Sequence, residues 1–113
     1  MTDQAELQAK VQKLQTMGAQ MQQLAQQRSR FEAMQSEAKR AIEALEGLAD
    51  DATVYRNVGS LLVQDSGRDD AVARLKDELE TLEIRTKRAK DQEAQMRTSL
   101  ESLQKELQAA FGQ

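Results

Sequence analysis

The segment that decides the fold is residues 50–67, which read DDATVYRNVGSLLVQDSG. The sequence on either side is dominated by Gln, Ala, Glu, Leu and Arg, which favour helices, whereas this segment carries β-branched, aromatic and glycine residues. Residues 53–56 (TVYR) and 60–63 (SLLV) flank a short connection at residues 57–59 (NVG), a pattern typical of a β-hairpin. We therefore predict a hairpin over about residues 53–64, with one helix on each side.

The sequence before the hairpin predicts one helix over about residues 3–49, because its apolar residues recur at steps of three and four. The apolar stripe begins at Leu7 and Val11 in a seven-residue frame. That frame meets charged residues at Arg28 and Glu32, and a frame shifted by three residues fits the sequence beyond them. Such a shift is a stammer in a coiled coil, so we expect local overwinding near Arg28.

The sequence after the hairpin predicts a second helix over about residues 69–110, with a more regular stripe. Its inward positions alternate in steps of three and four without a break, as in a coiled coil. Thr86 and Glu93 are the only polar residues in this series. The series consists of positions 72, 75, 79, 82, 86, 89, 93, 96, 100, 103, 107 and 110.

Two helices of similar length joined by a short connector pack best as an antiparallel pair, because each apolar stripe then buries the other. This register places Leu45 opposite Leu75 and brings Arg28 near Glu93. The two charged residues then either form an ion pair across the seam or both extend to water. The predicted fold class is mostly α-helical: a long antiparallel two-helix coiled coil joined by a short β-hairpin, in a single domain of residues 1–113.

The predicted hairpin needs partners. An isolated two-stranded hairpin is marginal in water, and its edges expose unpaired N–H and C=O groups. The consecutive residues Leu61, Leu62 and Val63 place apolar side chains on both of its faces. We therefore expect it to pair with hairpins of other subunits and to close a sheet or a barrel. The alternative is a monomer in which these three residues only cap the coiled coil.

The end of the coiled coil nearest the two termini, the tip, is a second candidate surface. Two-helix coils fray at their ends, so part of the apolar area there should stay accessible. Met17 and Phe111 fall just outside the strict frame. The tip is either an adhesive surface, to which flexible Met side chains are suited, or simply the end of the coil. Its seam residues are Leu7, Val11, Leu14, Met21, Leu100, Leu103, Leu107 and Ala110.

Catalysis and cofactor binding have no support in the sequence. The chain has no His and no Cys, which removes the usual proton shuttle, thiol nucleophiles and most zinc ligands. Its glycines form no phosphate-binding loop. Its carboxylates lie among Lys and Arg on predicted helices, where solvated ion pairs are the simplest interpretation. We therefore expect no enzymatic activity, no cofactor and no metal.

Charge and hydropathy favour a soluble, cytoplasmic protein whose partners are proteins. The net charge of -3 gives no electrostatic attraction to nucleic acid or anionic lipid. The first residues, MTDQAELQAK, are too polar for a secretion signal, and the run at residues 61–63 is too short to cross a bilayer. The basic run at residues 85–90 fits a solvated coil flank better than a nucleic-acid-binding helix. We expect neither nucleic-acid nor membrane binding.

The sequence resembles the β class of the prefoldin family in VYRNVGSLLV at residues 54–63, followed by Leu75, Leu79, LEIR at residues 82–85, and Gln92. The pattern of that class is a VYK-x-VG-x-x-LV hairpin, followed by a helix with an LE-x-R segment and a later Gln. Arg56 stands where the class usually has Lys, which keeps the positive charge. A single short hairpin is also typical of the β class, because the α class inserts two hairpins between its helices.

The resemblance implies a hexamer of two α-class and four β-class subunits, including other copies of this chain, with a double β-barrel built from the hairpins. It also implies an ATP-independent holdase that captures non-native client proteins at the tips of six coiled coils and passes them to a group II chaperonin in the cytosol. The implied client-binding residues are Leu7, Val11, Leu14, Met17, Leu103, Leu107 and Phe111. The implied subunit-interface residues are Val54, Tyr55, Val58, Leu61, Leu62 and Val63.

Three other functions stay open. A coiled-coil scaffold or tether without affinity for unfolded proteins is the main alternative, and an aggregation-suppression assay distinguishes it from a holdase. A periplasmic trimeric chaperone with a similar barrel and projecting coils is disfavoured by the polar N-terminus and the acidic balance. An enzyme comes last, and intrinsic turnover by the purified chain would be needed to support it.

Overall fold

The computed structural model describes residues 3–112. In chain order its elements are α1 (Gln4–Glu46), β1 (Tyr55–Val58), β2 (Leu61–Gln64) and α2 (Arg68–Phe111). The two strands pair antiparallel as one two-stranded sheet. The predicted fold class, two long helices joined by a β-hairpin, is therefore confirmed.

Helix α1 ends at Glu46, a few residues before its predicted end. The Gly47 N–H donates to the carbonyl oxygen of Glu43 at 3.2 Å, and the Leu48 N–H then donates to that of Leu45 at 3.1 Å. This change from four-residue to three-residue spacing tightens the last turn, and glycine disfavours further helix. The chain then leaves the helix and reaches β1 through a loop.

The described chain comprises two compact units. The terminal unit consists of residues 3–29 and 86–112, and the hairpin unit consists of residues 30–85. Each unit contains a segment of both helices, and the two strands belong to the hairpin unit. The single domain of residues 1–113 stays a prediction.

Within the terminal unit the two helical segments run antiparallel and are joined by ion pairs. Lys10 Nζ lies 3.3 Å from Glu106 Oε2, and Arg28 Nε lies 2.7 Å from Glu93 Oε1. The residue nearer the start of α1 thus contacts the residue nearer the end of α2. The predicted pairing of Arg28 with Glu93 is confirmed.

The inward side chains of α1 follow one unbroken seven-residue frame. The stammer expected near Arg28 is not found within residues 3–112, because Arg28 and Gln35 occupy inward positions instead of ending the frame. Arg28 can stay inward because Glu93 neutralises its charge. Met17, expected just outside the frame, is one of its buried members. The residues of this frame, all buried or half-buried, are Leu7, Lys10, Leu14, Met17, Met21, Leu24, Arg28, Phe31, Gln35, Ala38, Ile42 and Leu45.

The inward side chains of α2 lie where the sequence predicted them. Every position of the series from Val72 to Ala110 is buried or half-buried. The two polar members, Thr86 and Glu93, are among the least exposed residues, at 5% and 6%. The seam of the coil therefore includes polar groups that a purely apolar pattern would leave out.

The hairpin turns at Gly59 and Ser60, not at the predicted residues 57–59. Asn57 pairs with Leu62 and Val58 pairs with Leu61, so both lie in β1. Gly59 has a φ of 62°, and a positive φ at the first turn residue alone is typical of a type II′ turn, which favours glycine there. Val58, which would be an unusual residue in a turn, lies in strand β1 instead.

Candidate functional site

Arg68, at the start of α2, holds the loop between α1 and β1 in place. Its Nη1 donates to the carbonyl oxygen of Leu48 at 2.6 Å, and its Nη2 lies 2.6 Å from Asp50 Oδ1. The same guanidinium contacts Asp69, beside it in the chain, at 3.0 Å. The planar, multi-donor guanidinium can serve all three acceptors at once. One side chain thereby fixes the hairpin's first connection.

A second arginine holds the connection between β2 and α2. Arg74 Nη2 lies 2.5 Å from Asp65 Oδ2, and the Asp65 side chain is only 4% exposed. The Asp65 N–H donates to the Val54 carbonyl oxygen at 2.8 Å, which extends the strand pairing by one bond. The hydrogen bond from Arg74, assisted by the Ser66 N–H, lowers the pKa of Asp65 from 3.8 to about 2. The hairpin is therefore tied to the helices at both ends.

Acid should weaken the ion pair between Arg74 and Asp65. Because the pKa of Asp65 is lower in the folded chain than its ordinary 3.8, the carboxylate stabilises the fold fully above that value. This contribution should be lost as the pH falls through about 4 towards 2. We expect wild type to have a higher urea midpoint than Arg74→Met at pH 5, and the difference to shrink by pH 2. Both proteins are compared at one concentration, and a difference independent of pH would contradict the assignment.

The strands of the hairpin present apolar side chains to solvent on both faces. All eight strand residues are exposed. Val58 faces the same side as Leu61 and Val63, whereas Tyr55 and Leu62 face the other side, because side chains alternate along paired strands. Among the large apolar residues of the described chain, Leu61 and Leu62 are the most exposed, at 65% and 70%. Of the six predicted interface residues only Val54, which precedes β1, is half-buried.

The terminal unit gathers most of the predicted client-binding residues into one apolar cluster. Met17, Leu103 and Leu107 are its buried members, with exposures of 6–8%. Phe111, the remaining predicted residue, is 64% exposed. The tip cluster, as we call it, comprises these buried residues and the half-buried side chains packed against them, without Phe111. The half-buried side chains packed against its buried members are Leu7, Val11, Leu14, Met96 and Leu100.

A groove of about 1080 Å³ lies between the two helical segments of the terminal unit, and the sequence analysis did not predict it. We call it the flank groove. Its lining combines the inward residues Met17, Leu24, Met96 and Leu103 with polar residues, most of which flank the seam. The available signal was the run of glutamines beside the apolar stripe, which a search for apolar periodicity overlooks. The polar lining residues are Lys10, Lys13, Gln20, Gln23, Gln27, Gln92, Gln95, Thr98, Ser99, Ser102 and Glu106.

The described part of the chain contains no cluster of metal-binding side chains and no membrane-spanning helix. Within residues 3–112, no group of three or more acidic side chains is arranged to hold a metal ion. Neither α1 nor α2 has a stretch both long and apolar enough to pass through a lipid bilayer.

The chain matches a family model described as "Prefoldin subunit" over residues 8–113. It is 45% identical to the prefoldin subunit beta of Methanosarcina acetivorans over 95% of this chain and 91% of the relative. It is 37% identical to that of Thermococcus kodakarensis, over 94% and 90%. The crystal structure of the prefoldin beta subunit from Thermococcus strain KS-1 aligns with a TM-score of 0.82 and 37% identity, over 93% of this chain and 91% of that one.

These similarities extend over nearly the whole chain and include its hairpin. Prefoldin subunits are chaperones and not enzymes, so the expectation that this chain has no catalytic function is supported by its relatives. The chain belongs to the prefoldin subunit family, and the relatives it matches are of the β class that its hairpin motif predicted.

Proposed function

We propose that this chain is the β-class subunit of an ATP-independent holdase, which captures non-native proteins at its coiled-coil tips and transfers them to a group II chaperonin in the cytoplasm. One observation carries the proposal of client capture: no large side chain within residues 3–112 is fully buried. Even the best buried members of the tip cluster keep 6–8% of their surface exposed. A two-helix seam cannot withdraw its apolar surface completely from water, so part of it is available to an unfolded chain.

Assembly through the hairpin is the first part of this mechanism. Leu61 and Leu62 expose apolar surface on opposite faces of a sheet that has only two strands in the described chain. Hairpins of other subunits can cover both faces and pair with the free edges. We propose a hetero-hexamer of two α-class and four β-class subunits with a β-barrel body. Its interface on this chain consists of Val54, Tyr55, Val58, Leu61, Leu62 and Val63.

Client contact is the second part. Phe111 is accessible as the chain stands, and the half-buried Leu7, Val11 and Leu14 add apolar surface around the tip cluster. The buried members become accessible when the helix ends fray, which costs little because few contacts hold a terminal turn. We propose that the client-binding residues are Leu7, Val11, Leu14, Met17, Leu103, Leu107 and Phe111.

Several weak contacts acting together replace a nucleotide cycle. Each tip offers a small apolar surface, so a single contact should be weak and quickly reversible. When several tips surround one client, every contact after the first forms at high effective concentration. A folded protein has few accessible apolar segments, so the assembly should distinguish clients by their folding state.

Removing both ends of the tip tests the holdase function. We expect a chain lacking residues 1–17 and 103–113 to assemble as the intact chain does, because the hairpin unit is unchanged. It should no longer suppress aggregation of heat-denatured citrate synthase, because the tip cluster is gone. Light scattering of the assembled complex, with the α-class partner present, measures both properties.

A point variant makes this test independent of the truncation. Phe111→Ser should weaken aggregation suppression, whereas Ile84→Ser, which removes a 49% exposed apolar side chain from the hairpin unit, should leave it unchanged. Full suppression by the truncated chain would reject client capture at the tips. No suppression by the intact complex would favour the scaffold or tether instead.

A further inference from the structure

The flank groove of the terminal unit has an apolar floor and polar walls. The floor is formed by Met17, Leu24, Met96 and Leu103, which belong to the seam. Three glutamines of α1 and two of α2 line the walls, and all five are exposed. They are Gln20, Gln23, Gln27, Gln92 and Gln95.

These walls are chemically suited to a polypeptide main chain. A glutamine amide both donates and accepts hydrogen bonds, as does each peptide group. A main chain pressed onto an apolar floor loses water and needs replacement partners for its N–H and C=O groups. A helical ligand has no such need, because its main-chain groups already bond to one another. The lining therefore favours an extended ligand over a helical one.

The dimensions of the groove also fit an extended segment. On α1 it runs from Lys10 to Gln27, a distance of about 25 Å at 1.5 Å per residue. An extended chain rises about 3.3 Å per residue, so about eight residues span the groove. Side chains alternate along such a segment, so every second one points at the floor. Met96, which is half-buried, gives that floor a flexible surface that accepts different apolar shapes.

We propose that the flank groove binds an extended segment of an unfolded polypeptide through its main chain, with the wall glutamines as hydrogen-bond partners and the Met and Leu floor receiving every second side chain. The proposal rests on the holdase function and deepens it. It assigns part of the client contact to polar residues beside the seam, in addition to the tip cluster, whose Met17 and Leu103 form part of the floor. Its preferred ligand is a segment with alternating apolar side chains, which is the pattern of an unpaired β-strand.

Exchanging glutamine for methionine separates main-chain recognition from apolar contact. Gln20→Met, Gln23→Met and Gln95→Met together keep side-chain length and helix propensity, remove three amides and add apolar surface. If the amides bind the main chain, affinity should fall by at least about tenfold. If only apolar contact matters, it should stay the same or rise. The matched control is Gln12→Met, Gln22→Met and Gln104→Met, which changes exposed glutamines outside the groove.

The probe is a fluorescein-labelled eight-residue peptide of alternating Leu and Thr, titrated with the assembled full-length chain and followed by anisotropy. We expect the control triple variant to bind as wild type does, and the groove triple variant to bind at least about tenfold more weakly. The same peptide with N-methylated amides should lose a similar factor on wild type. Unchanged or tighter binding by the groove variant, or no binding by wild type, would overturn the proposal.

The proposed holdase function is judged separately in the same preparations. Aggregation suppression by wild type together with unchanged peptide affinity of the groove variant would reject the flank groove alone. If the wild-type complex does not suppress aggregation, the holdase function on which the groove proposal rests is rejected instead.

Discussion

A chain carrying Leu61→Asp and Leu62→Asp should fold but fail to assemble. The two leucines are 65% and 70% exposed, so their replacement removes little contact within the chain. At an assembled interface each would contribute about 1.5–3 kcal/mol by burial, and an aspartate buried in its place would add a further cost. Association should therefore weaken by at least about a hundredfold. Sedimentation velocity at micromolar concentration, with the α-class partner present, measures the effect.

The control for this variant is Ile84→Asp, which adds a charge at an exposed apolar residue on α2 of the same hairpin unit. It should assemble normally, because it lies outside the strands. An assembled species of wild-type mass from the leucine variant would contradict the proposed interface. A solitary, well-folded wild-type chain in the same experiment would support the alternative in which the hairpin only caps the coil.

Removing Arg28, the positive member of the seam ion pair with Glu93, should lower the free energy of unfolding substantially. Arg28→Met leaves the Glu93 side chain, 8% exposed, without the guanidinium that lies 2.7 Å away. Removing one partner of a buried pair typically costs about 3–5 kcal/mol. We expect about 2–3 kcal/mol here, because the Arg28 side chain is 30% exposed and water can enter its place. Urea unfolding followed by circular dichroism at fixed protein concentration measures the loss.

Two further variants show whether the loss comes from an uncompensated charge. Arg28→Met combined with Glu93→Leu should recover most of the stability, because an apolar pair can replace a buried ion pair at little cost. Lys10→Met should change stability by less than about 1 kcal/mol, since the side chains of Lys10 and Glu106 keep 40% and 55% of their surface exposed. A large loss in the double variant would mean that the volume of the side chains, and not their charge, sets the stability.

The stripe of α2 could be predicted because the apolar series passes through only two polar residues and the frame resumes beyond each. The stripe of α1 could not, because three of its inward residues, Lys10, Arg28 and Gln35, are polar. Lys10 and Arg28 occupy inward positions, and whether a charge is tolerated there depends on a partner on the other helix. Periodicity in one helix does not contain that information, so the apparent stammer was an error of interpretation.

The hairpin could be predicted from its composition, whereas its turn could not be placed to the residue. The predicted turn, residues 57–59, and the observed turn, Gly59-Ser60, share the same glycine. The choice between them depends on which strand residues pair. The ties formed by Arg68 and Arg74 were also missed. Each joins residues that are separated in the sequence, and the sequence alone does not show which acidic residue each arginine contacts.

The candidate surfaces were predicted to different degrees. The apolar residues of the tip stood out by their spacing, and the structure brings most of them into one cluster. The flank groove depends on two rows of polar residues from different helices, such as Gln23 and Gln95. Only their juxtaposition across the seam makes them a lining, so the glutamines of either helix alone do not show that a groove forms.

The doubly exposed hairpin also affects the fate of newly synthesised copies. Before assembly, a single subunit carries an apolar hairpin with Leu61 and Leu62 projecting from opposite faces. That is the kind of surface by which unfinished proteins stick together. An excess of this chain over its partner subunits should therefore aggregate or be degraded. We expect the subunits to be synthesised in matched amounts for this reason.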